Sequence, residues 1–279
     1  MSADTDLLTQ LAHLSPVSGR LGLCWLGQAG FALRTSDRTV LIDPFLTLNP
    51  DRLFPPPFPA GEARGIDLVL CTHEHIDHLD RSALPAIAEA SPDARFVVPT
   101  PIVSVVTGFG IAASRVTGMQ PGERIEVAGI AVSAVPAMHG ITMADAYSFG
   151  RGESGGEYRF LGFVLEANGV VLYHAGDTIL YDGMVDQLRP FHIDVALLPI
   201  NGRSPERESR EVVGNLDERE AAHLAAAIGA HGVIPMHYDM FAGNQGHPEY
   251  VVTVARNDYQ ELGVIVPARF RPFVYAAAR

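Results

Sequence analysis

Residues 71–80 read C-T-H-E-H-I-D-H-L-D, so three histidines and three carboxylates fall within ten positions. Imidazole nitrogen and carboxylate oxygen are the donors that zinc and its first-row neighbours accept. His73 and His75 stand two apart. Side chains two apart in extended chain point to the same side, so both rings can reach one ion. Asp77 and His78 follow as the chain turns and can serve a second point nearby. The competing reading is a solvated loop whose carboxylates cap a helix. One histidine would suit that loop; three with an aspartate between them suit it poorly.

Chemistry of this kind needs rigid elements behind it. The run Ile66-Asp67-Leu68-Val69-Leu70 reads as a buried strand, so the polar residues emerge where a strand ends. The pattern recurs. A hairpin over 124–127 and 130–135, turning at Ala128-Gly129, ends in Pro136-Ala137-Met138-His139-Gly140. Strands over 159–167 and 170–173 flank Asn168-Gly169, a strong hairpin signal. The second runs into His174-Ala175-Gly176-Asp177-Thr178. A strand over 232–236 ends in His237-Tyr238-Asp239. Taken singly, His139 would suit a hydrogen-bonded structural role, and Asp177 could cap a helix over 179–188. His174 reads as a core residue or a support for the ligands.

The remaining chain supplies the frame. Apolar spacing predicts a helix over about 4–14, and strands at 21–26, 31–34 and 39–42 form a meander. Helices follow at 82–90, from a Thr100-Pro101 start toward Phe109, from an Asn215/Glu218 capping box to Gly229, and at about 249–262. Strands are expected at 95–98, 194–199 and 270–275. Residues 50–61, with their run of prolines, can form neither a helix nor an inner strand. They read as a stiff loop, with Phe54 and Phe58 expected as an apolar lip of the pocket. Glycine-rich residues 141–158 form a candidate lid, from which Tyr147, Arg151, Tyr158 and Arg159 could reach substrate. Among Arg203, Arg207 and Arg210, Arg203 directly follows a strand end and is the expected anchor for a phosphate or carboxylate.

The 279 residues carry a formal net charge of -12 and no run of Lys or Arg. That balance argues against nucleic acid and anionic membranes as partners. The two cysteines, Cys24 and Cys71, lie in apolar runs and read as buried small hydrophobes. The first residues lack the pattern of a signal peptide, and no run approaches the ~18 apolar residues of a membrane span. A soluble cytoplasmic protein is expected, and a homo-oligomer is plausible.

The H-x-H-x-D-H spacing of His73, His75, Asp77 and His78 resembles the signature of the metallo-β-lactamase superfamily. With the motifs at His139, Asp177 and His237, the resemblance runs from Leu23 to His237. It implies one α/β domain over 1–279, a four-layer αββα sandwich. It also implies two divalent metal ions, Zn2+ or Mn2+. His73, His75 and His139 would hold the first, Asp77, His78 and His237 the second, with Asp177 bridging and Asp43 of Ile42-Asp43-Pro44 supporting a ligand histidine. A water acidified toward hydroxide would be the nucleophile, with Asp77 and His78 as catalytic residues.

The stretches Trp25-Leu26-Gly27-Gln28-Ala29-Gly30-Phe31, Tyr173-His174-Ala175-Gly176-Asp177-Thr178, Ile200-Asn201-Gly202-Arg203 and Ile234-Pro235-Met236-His237-Tyr238-Asp239 further resemble the UlaG-like L-ascorbate-6-phosphate lactonase branch. This resemblance implies a metal-dependent hydrolase opening a lactone or related carboxylic ester of a small molecule, anionic if phosphorylated. Arg203 and Tyr238 are then candidate substrate contacts. The alternatives are a phosphodiesterase for a small nucleotide or RNA and a non-catalytic metal-binding protein. Net charge weakens the RNA version.

Overall fold

The structure is a computed structural model that describes residues 6–139, 153–154, 157–203 and 214–278. Strands β1 (Arg20–Gly27), β2 (Gly30–Arg34) and β3 (Thr39–Ile42) form the expected antiparallel meander. Then β4 (Leu68–Leu70), β5 (Arg95–Pro99) and β6 (Val116–Met119) join side by side in parallel. The second sheet starts with the hairpin of β7 (Arg124–Val127) and β8 (Ile130–Pro136). A two-residue pair, β9 (Glu153–Ser154) and β10 (Glu157–Tyr158), stands apart. Strands β11 (Leu161–Ala167) and β12 (Val170–His174) form a second hairpin on β8. Parallel additions β13 (Val195–Pro199), β14 (Gly232–Met236) and β15 (Gly263–Val264) complete that sheet. The last strand, β16 (Phe273–Ala276), returns to pair with β1, so the first sheet holds both the first and the last strand.

Burial explains the layering. Along β1, Leu23 and Trp25 face the other sheet, while Cys24 and Leu26 face the outer layer. In β11, Phe163 and Leu165 join the inner core and Val164 the opposite outer layer. A strand buried on both faces must be covered on both. Helices α1 (Leu7–Ala12), α2 (Ala83–Ala90) and α3 (Val103–Gly108) cover the first sheet. Helices α4 (Met184–Leu188), α5 (Glu218–Ala227) and α6 (Pro248–Asp258) cover the second. Each fully buried Leu or Phe contributes about 1.5–3 kcal/mol. The result is the four-layer αββα sandwich expected from the sequence.

Several boundaries differ from expectation. The capping box belongs to Asp217 and Glu220, not Asn215 and Glu218. Both pairs have the required spacing, and the carboxylate is the better partner for a helix N-terminus. Thr100-Pro101 opens a 3-10 turn before α3, with no side-chain cap. The helix expected over 179–188 begins only at Met184. Upstream, Thr178 O and Ile179 N bond instead to Leu216 N and Met138 O. Strand β6 was not anticipated. Among the described residues no helix is long and apolar enough to cross a membrane.

Candidate metal centre

Every candidate ligand lies just beyond the C-terminal end of a strand: the 73–78 group after β4, His139 after β8, Asp177 after β12 and His237 after β14. The 73–78 segment folds back on itself because His78 N and Leu79 N both donate to His75 O, at 3.0 and 2.7 Å. Asp80 pins the far end. Its carboxylate accepts from Leu46 N, Thr47 N, Thr47 Oγ1, Ser82 N and Ala83 N. Gly176 has φ +61, and a Cβ there would lie 2.8 Å from Leu161 O, so only glycine lets Asp177 enter. Asp43 (φ +45), Gln28 (φ +53) and His237 (φ +62) also hold left-handed backbone. Such strain gathers where side chains must be aimed.

The side chains converge in two groups, His73, His75, His139 and Asp177 in one, Asp77, His78 and His237 in the other. In the first, His73 Nε2 lies 2.9 Å from His75 Nδ1, and His139 Nε2 3.5 Å from Asp177 Oδ2. In the second, His78 Nε2 and His237 Nε2 are 3.3 Å apart, and Asp77 Oδ2 is 3.7 and 3.3 Å from them. Asp177 Oδ1 turns to this second group, 3.5 Å from His78 Nε2 and 3.2 Å from His237 Nε2. One carboxylate thus faces both groups.

Hydrogen bonds behind the rings set which nitrogen looks inward. His78 Nδ1 donates to Asp43 Oδ2 at 2.7 Å, leaving Nε2 toward the centre. His139 Nδ1 donates to Gly214 O at 2.9 Å. Asp43 is itself held by Thr72 N and Thr72 Oγ1, at 2.8 and 2.7 Å. His174, by contrast, bonds Ala29 O and Gly176 N and takes no part in either group.

The charges divide along the same lines. Burial holds the His73, His75 and His139 pKa values down, His75 to about 3, so these rings are neutral. Burial also pushes His78 and His237 down, but the surrounding carboxylates more than reverse it. Asp177, Asp43 and Asp77 hold His78 well above its usual value, and Asp177 and Asp77 carry His237 to about 9. Burial favours the neutral acid at Asp177, yet His237, His78 and His139 hold it well below the carboxylate range. Asp177 Oδ1 is buried without a hydrogen bond. At most one of two ring nitrogens 2.9 Å apart can carry a proton into the gap between them. Convergent lone pairs, one orphaned carboxylate oxygen and an N/O donor set fit divalent first-row cations.

A cavity of about 370 Å³ opens onto this centre. Ile76 and Phe241 line it with apolar surface; Asn201, Asn215 and Asn244 line it with carboxamides. Asn215 Nδ2 donates to Asn201 Oδ1 at 2.9 Å, and Asn201 Nδ2 to Asn244 Oδ1 at 2.6 Å. Under the imidazoles, Phe160 packs its ring 5.3–5.8 Å from His73, His75 and His139. Neither Phe160 nor the asparagine wall was anticipated. Apolar and amide side chains carry no local signature, and these come from separated loops.

The expected substrate contacts fare differently. Phe58 is buried in the outer layer with α1 and α2 residues, away from the cavity, because the proline-rich loop folds back onto the first sheet. Phe54 is not at the lip either: it packs on Phe270 and under the Arg269 guanidinium. Arg203 pairs with Glu220 rather than turning to the cavity. Tyr238 packs against Trp25, ring centroids 5.0 Å apart and planes tilted by 33°. Arg159 pairs with Glu74 at 3.0 Å. Tyr147, Arg151, Arg207 and Arg210, with most of the 141–158 lid candidate, lie outside the described residues.

Comparison with known proteins matches this architecture. Residues 38–238 match the family model described as the beta-lactamase superfamily domain. A protein of Methanoregula boonei named UPF0173 metal-dependent hydrolase is 35% identical over 219 residues, 78% of this chain and 82% of its own. A namesake from Rubrobacter xylanophilus is 34% identical over 252 residues, covering 89% and 94%. Among solved structures, Igni18, described as a novel metallo hydrolase from Ignicoccus hospitalis, superposes with TM-score 0.72 at 24% identity, covering 93% of this chain and all of its own. That likeness shows the fold. The chain therefore belongs to the beta-lactamase superfamily domain family, among the UPF0173 homologues.

Proposed function

We propose that this protein is a metal-dependent hydrolase that opens a lactone or related carboxylic ester of a small molecule. The observation that carries the reading is the pair of ligand groups joined by Asp177 at one cavity. His73, His75, His139 and Asp177 would hold one divalent ion, and Asp77, His78 and His237 the other, as Zn2+ or Mn2+. Such ions, when bound, acidify water and polarise a substrate oxygen. The names of the curated relatives support a hydrolase, and they specify no substrate.

The chain's own residues supply the rest. Asp177, facing both groups, sets their spacing. Asp43 keeps the His78 tautomer that presents Nε2. The Asp77 side chain keeps 16% exposure on the cavity wall and is the carboxylate placed to take and release a proton. Ile76 and Phe241 receive the apolar part of a substrate, and the asparagine amides bond to its carbonyl or hydroxyl groups. A cavity of about 370 Å³ admits a small molecule, not a folded RNA. Among the described residues lining it there is no Lys or Arg, and Arg203 pairs with Glu220.

The test is initial rates of protein reconstituted separately with Zn2+ and Mn2+, on sugar lactones with and without phosphate and on a phosphodiester, with Asp77→Ala as control. Lactone turnover lost in the variant is expected. Phosphodiester turnover with inert lactones would refute the proposal and move the protein to a phosphodiesterase.

A further inference from the structure

Gln28 occupies the turn between β1 and β2 and is wholly buried. Its backbone is fastened from three sides. Gln28 O accepts from Trp25 Nε1 and from His237 N, both at 2.9 Å, and Gln28 N donates to Asp239 Oδ1 at 3.2 Å. The turn is thereby tied to the loop that carries His237, and the side chain lies beside the second ligand group. Gln28 Nε2 is 2.8 Å from Asp77 Oδ2. A carboxylate only accepts, so the N–H end of the carboxamide must face it. The same nitrogen lies 3.1 Å from His237 Nε2 and 3.3 Å from His237 Nδ1. Nearly equal approach to both nitrogens places the amide against the side of the ring, off either lone pair. His237 Nε2 stays turned toward His78, Asp77 and Asp177.

The other end of the carboxamide gains nothing. Gln28 Oε1 is buried without a hydrogen-bond partner. A buried acceptor left unpaired opposes folding, so the side chain contributes little to stability on balance. Its N–H end instead holds a ligand. Among the described residues, Gln28 is the one hydrogen-bond partner of the Asp77 carboxylate outside the histidine rings. A carboxylate can turn about its stem. One fixed N–H bond to Oδ2 settles how that oxygen faces His78 and His237. Partners of this kind, one step behind a ligand, set its direction and its affinity for an ion.

We infer that Gln28 is a positioning residue of the second ligand group: its N–H orients the Asp77 carboxylate, and its amide, packed against the His237 ring, holds that ring beside it. It acts through these two ligands and is not itself one. The inference rests on the two-ion reading of the centre. No hydrogen bond joins Gln28 to His73, His75, His139 or Asp177 among those described. Its loss should therefore weaken the Asp77, His78 and His237 position and spare the other.

The test counts metal and does not depend on activity. Gln28→Met keeps the length and the unbranched stem but has no N–H. Gln28→Glu sets a second carboxylate against Asp77. Chelator-stripped wild type and both variants are titrated with Zn2+ against a chelating dye. Co2+ loading reports ligand geometry by absorption, and thermal melts in chelator check the fold. Wild type is expected to bind two ions. Gln28→Met should melt as wild type does without metal, because loss of the bond to Asp77 is offset by loss of the orphaned oxygen. It should keep one ion at wild-type affinity and bind the other about 10–100-fold more weakly, with altered Co2+ bands. Gln28→Glu should bind that ion more weakly still, by repulsion between the carboxylates. Two ions at wild-type affinity with unchanged Co2+ bands in Gln28→Met would overturn the inference and leave the two-ion reading intact. Equal weakening at both positions with a lowered melting temperature would also overturn it, since that pattern marks a packing role. So would Gln28→Glu that binds both ions as wild type does, because a carboxylate there cannot donate to Asp77. A single bound ion in wild type would overturn both readings.

Discussion

Replacing Asp43 with asparagine isolates the support of one ligand. Asn tolerates left-handed backbone, so φ +45 is no obstacle. Asp43 accepts three hydrogen bonds, from Thr72 N, Thr72 Oγ1 and His78 Nδ1. An asparagine can place its oxygen on Thr72 N, but its NH2 then faces the other two. The Thr72 hydroxyl can rotate to accept. His78 Nδ1 must accept as well, which moves the ring proton to Nε2, the atom facing His237 and Asp177. An Nε2–H has no lone pair for a cation. Loss of such support costs about 10–100-fold in metal affinity, equivalent to about 1.4–2.7 kcal/mol. The loss should fall first on the Asp77, His78 and His237 position, with a smaller one at the other passed through Thr72 Oγ1, which lies 3.1 Å from His73 Nδ1; no hydrogen bond joins Asp43 directly to His73, His75 or His139 among those described. In metal-free protein the variant also loses a charge-assisted bond of about 1.5–3 kcal/mol, lowering Tm by roughly 3–10 °C. Metal titration against a chelating dye and thermal melts in chelator measure the two effects. Asp43→Asn protein that binds both ions with unchanged affinity would refute the reasoning.

Two further outcomes follow from the centre. In chelator-treated protein, the raised pKa of His237 stabilises the fold fully below about 6.5, and that contribution disappears as pH rises through about 9. Asp177, held low, contributes above the ordinary carboxylate pKa and loses its contribution in acid. Urea unfolding in chelator should therefore show stability falling by up to about 3 kcal/mol between pH 6.5 and pH 10; a flat profile there counts against the charge arrangement. Gly176→Ala forces a side chain into left-handed backbone and against Leu161 O. It should cost about 1–3 kcal/mol from the backbone strain alone and displace Asp177, seen as a lower Tm with less bound metal.

The strands were legible because both sheets are built from short apolar runs ended by turn residues. Asn168-Gly169 and Ala128-Gly129 turn as expected, each with positive φ. Boundaries failed where tertiary hydrogen bonds outbid local preference, as at 178–183, where the backbone pairs with Met138 and Leu216 instead of coiling. Phe54 and Phe58 were misplaced because an aromatic in a proline-rich loop reads the same on either side of the chain. The pairing of Arg203 was not legible because nothing local announces Glu220, seventeen residues on, as its partner.

Residue type and spacing alone marked His73, His75, Asp77 and His78, since few arrangements other than a metal site collect such donors. Local pattern also placed His139, Asp177 and His237 beyond strand ends. Only the tertiary structure brought those four loops to one cavity, turned Asp177 toward both groups and set Asp43 behind His78. It alone set Gln28, 49 positions from Asp77 and 209 from His237, between them. Periodicity records which face of an element is buried. It carries no information about which distant loop shares that burial, and that is decided only when the two sheets pack.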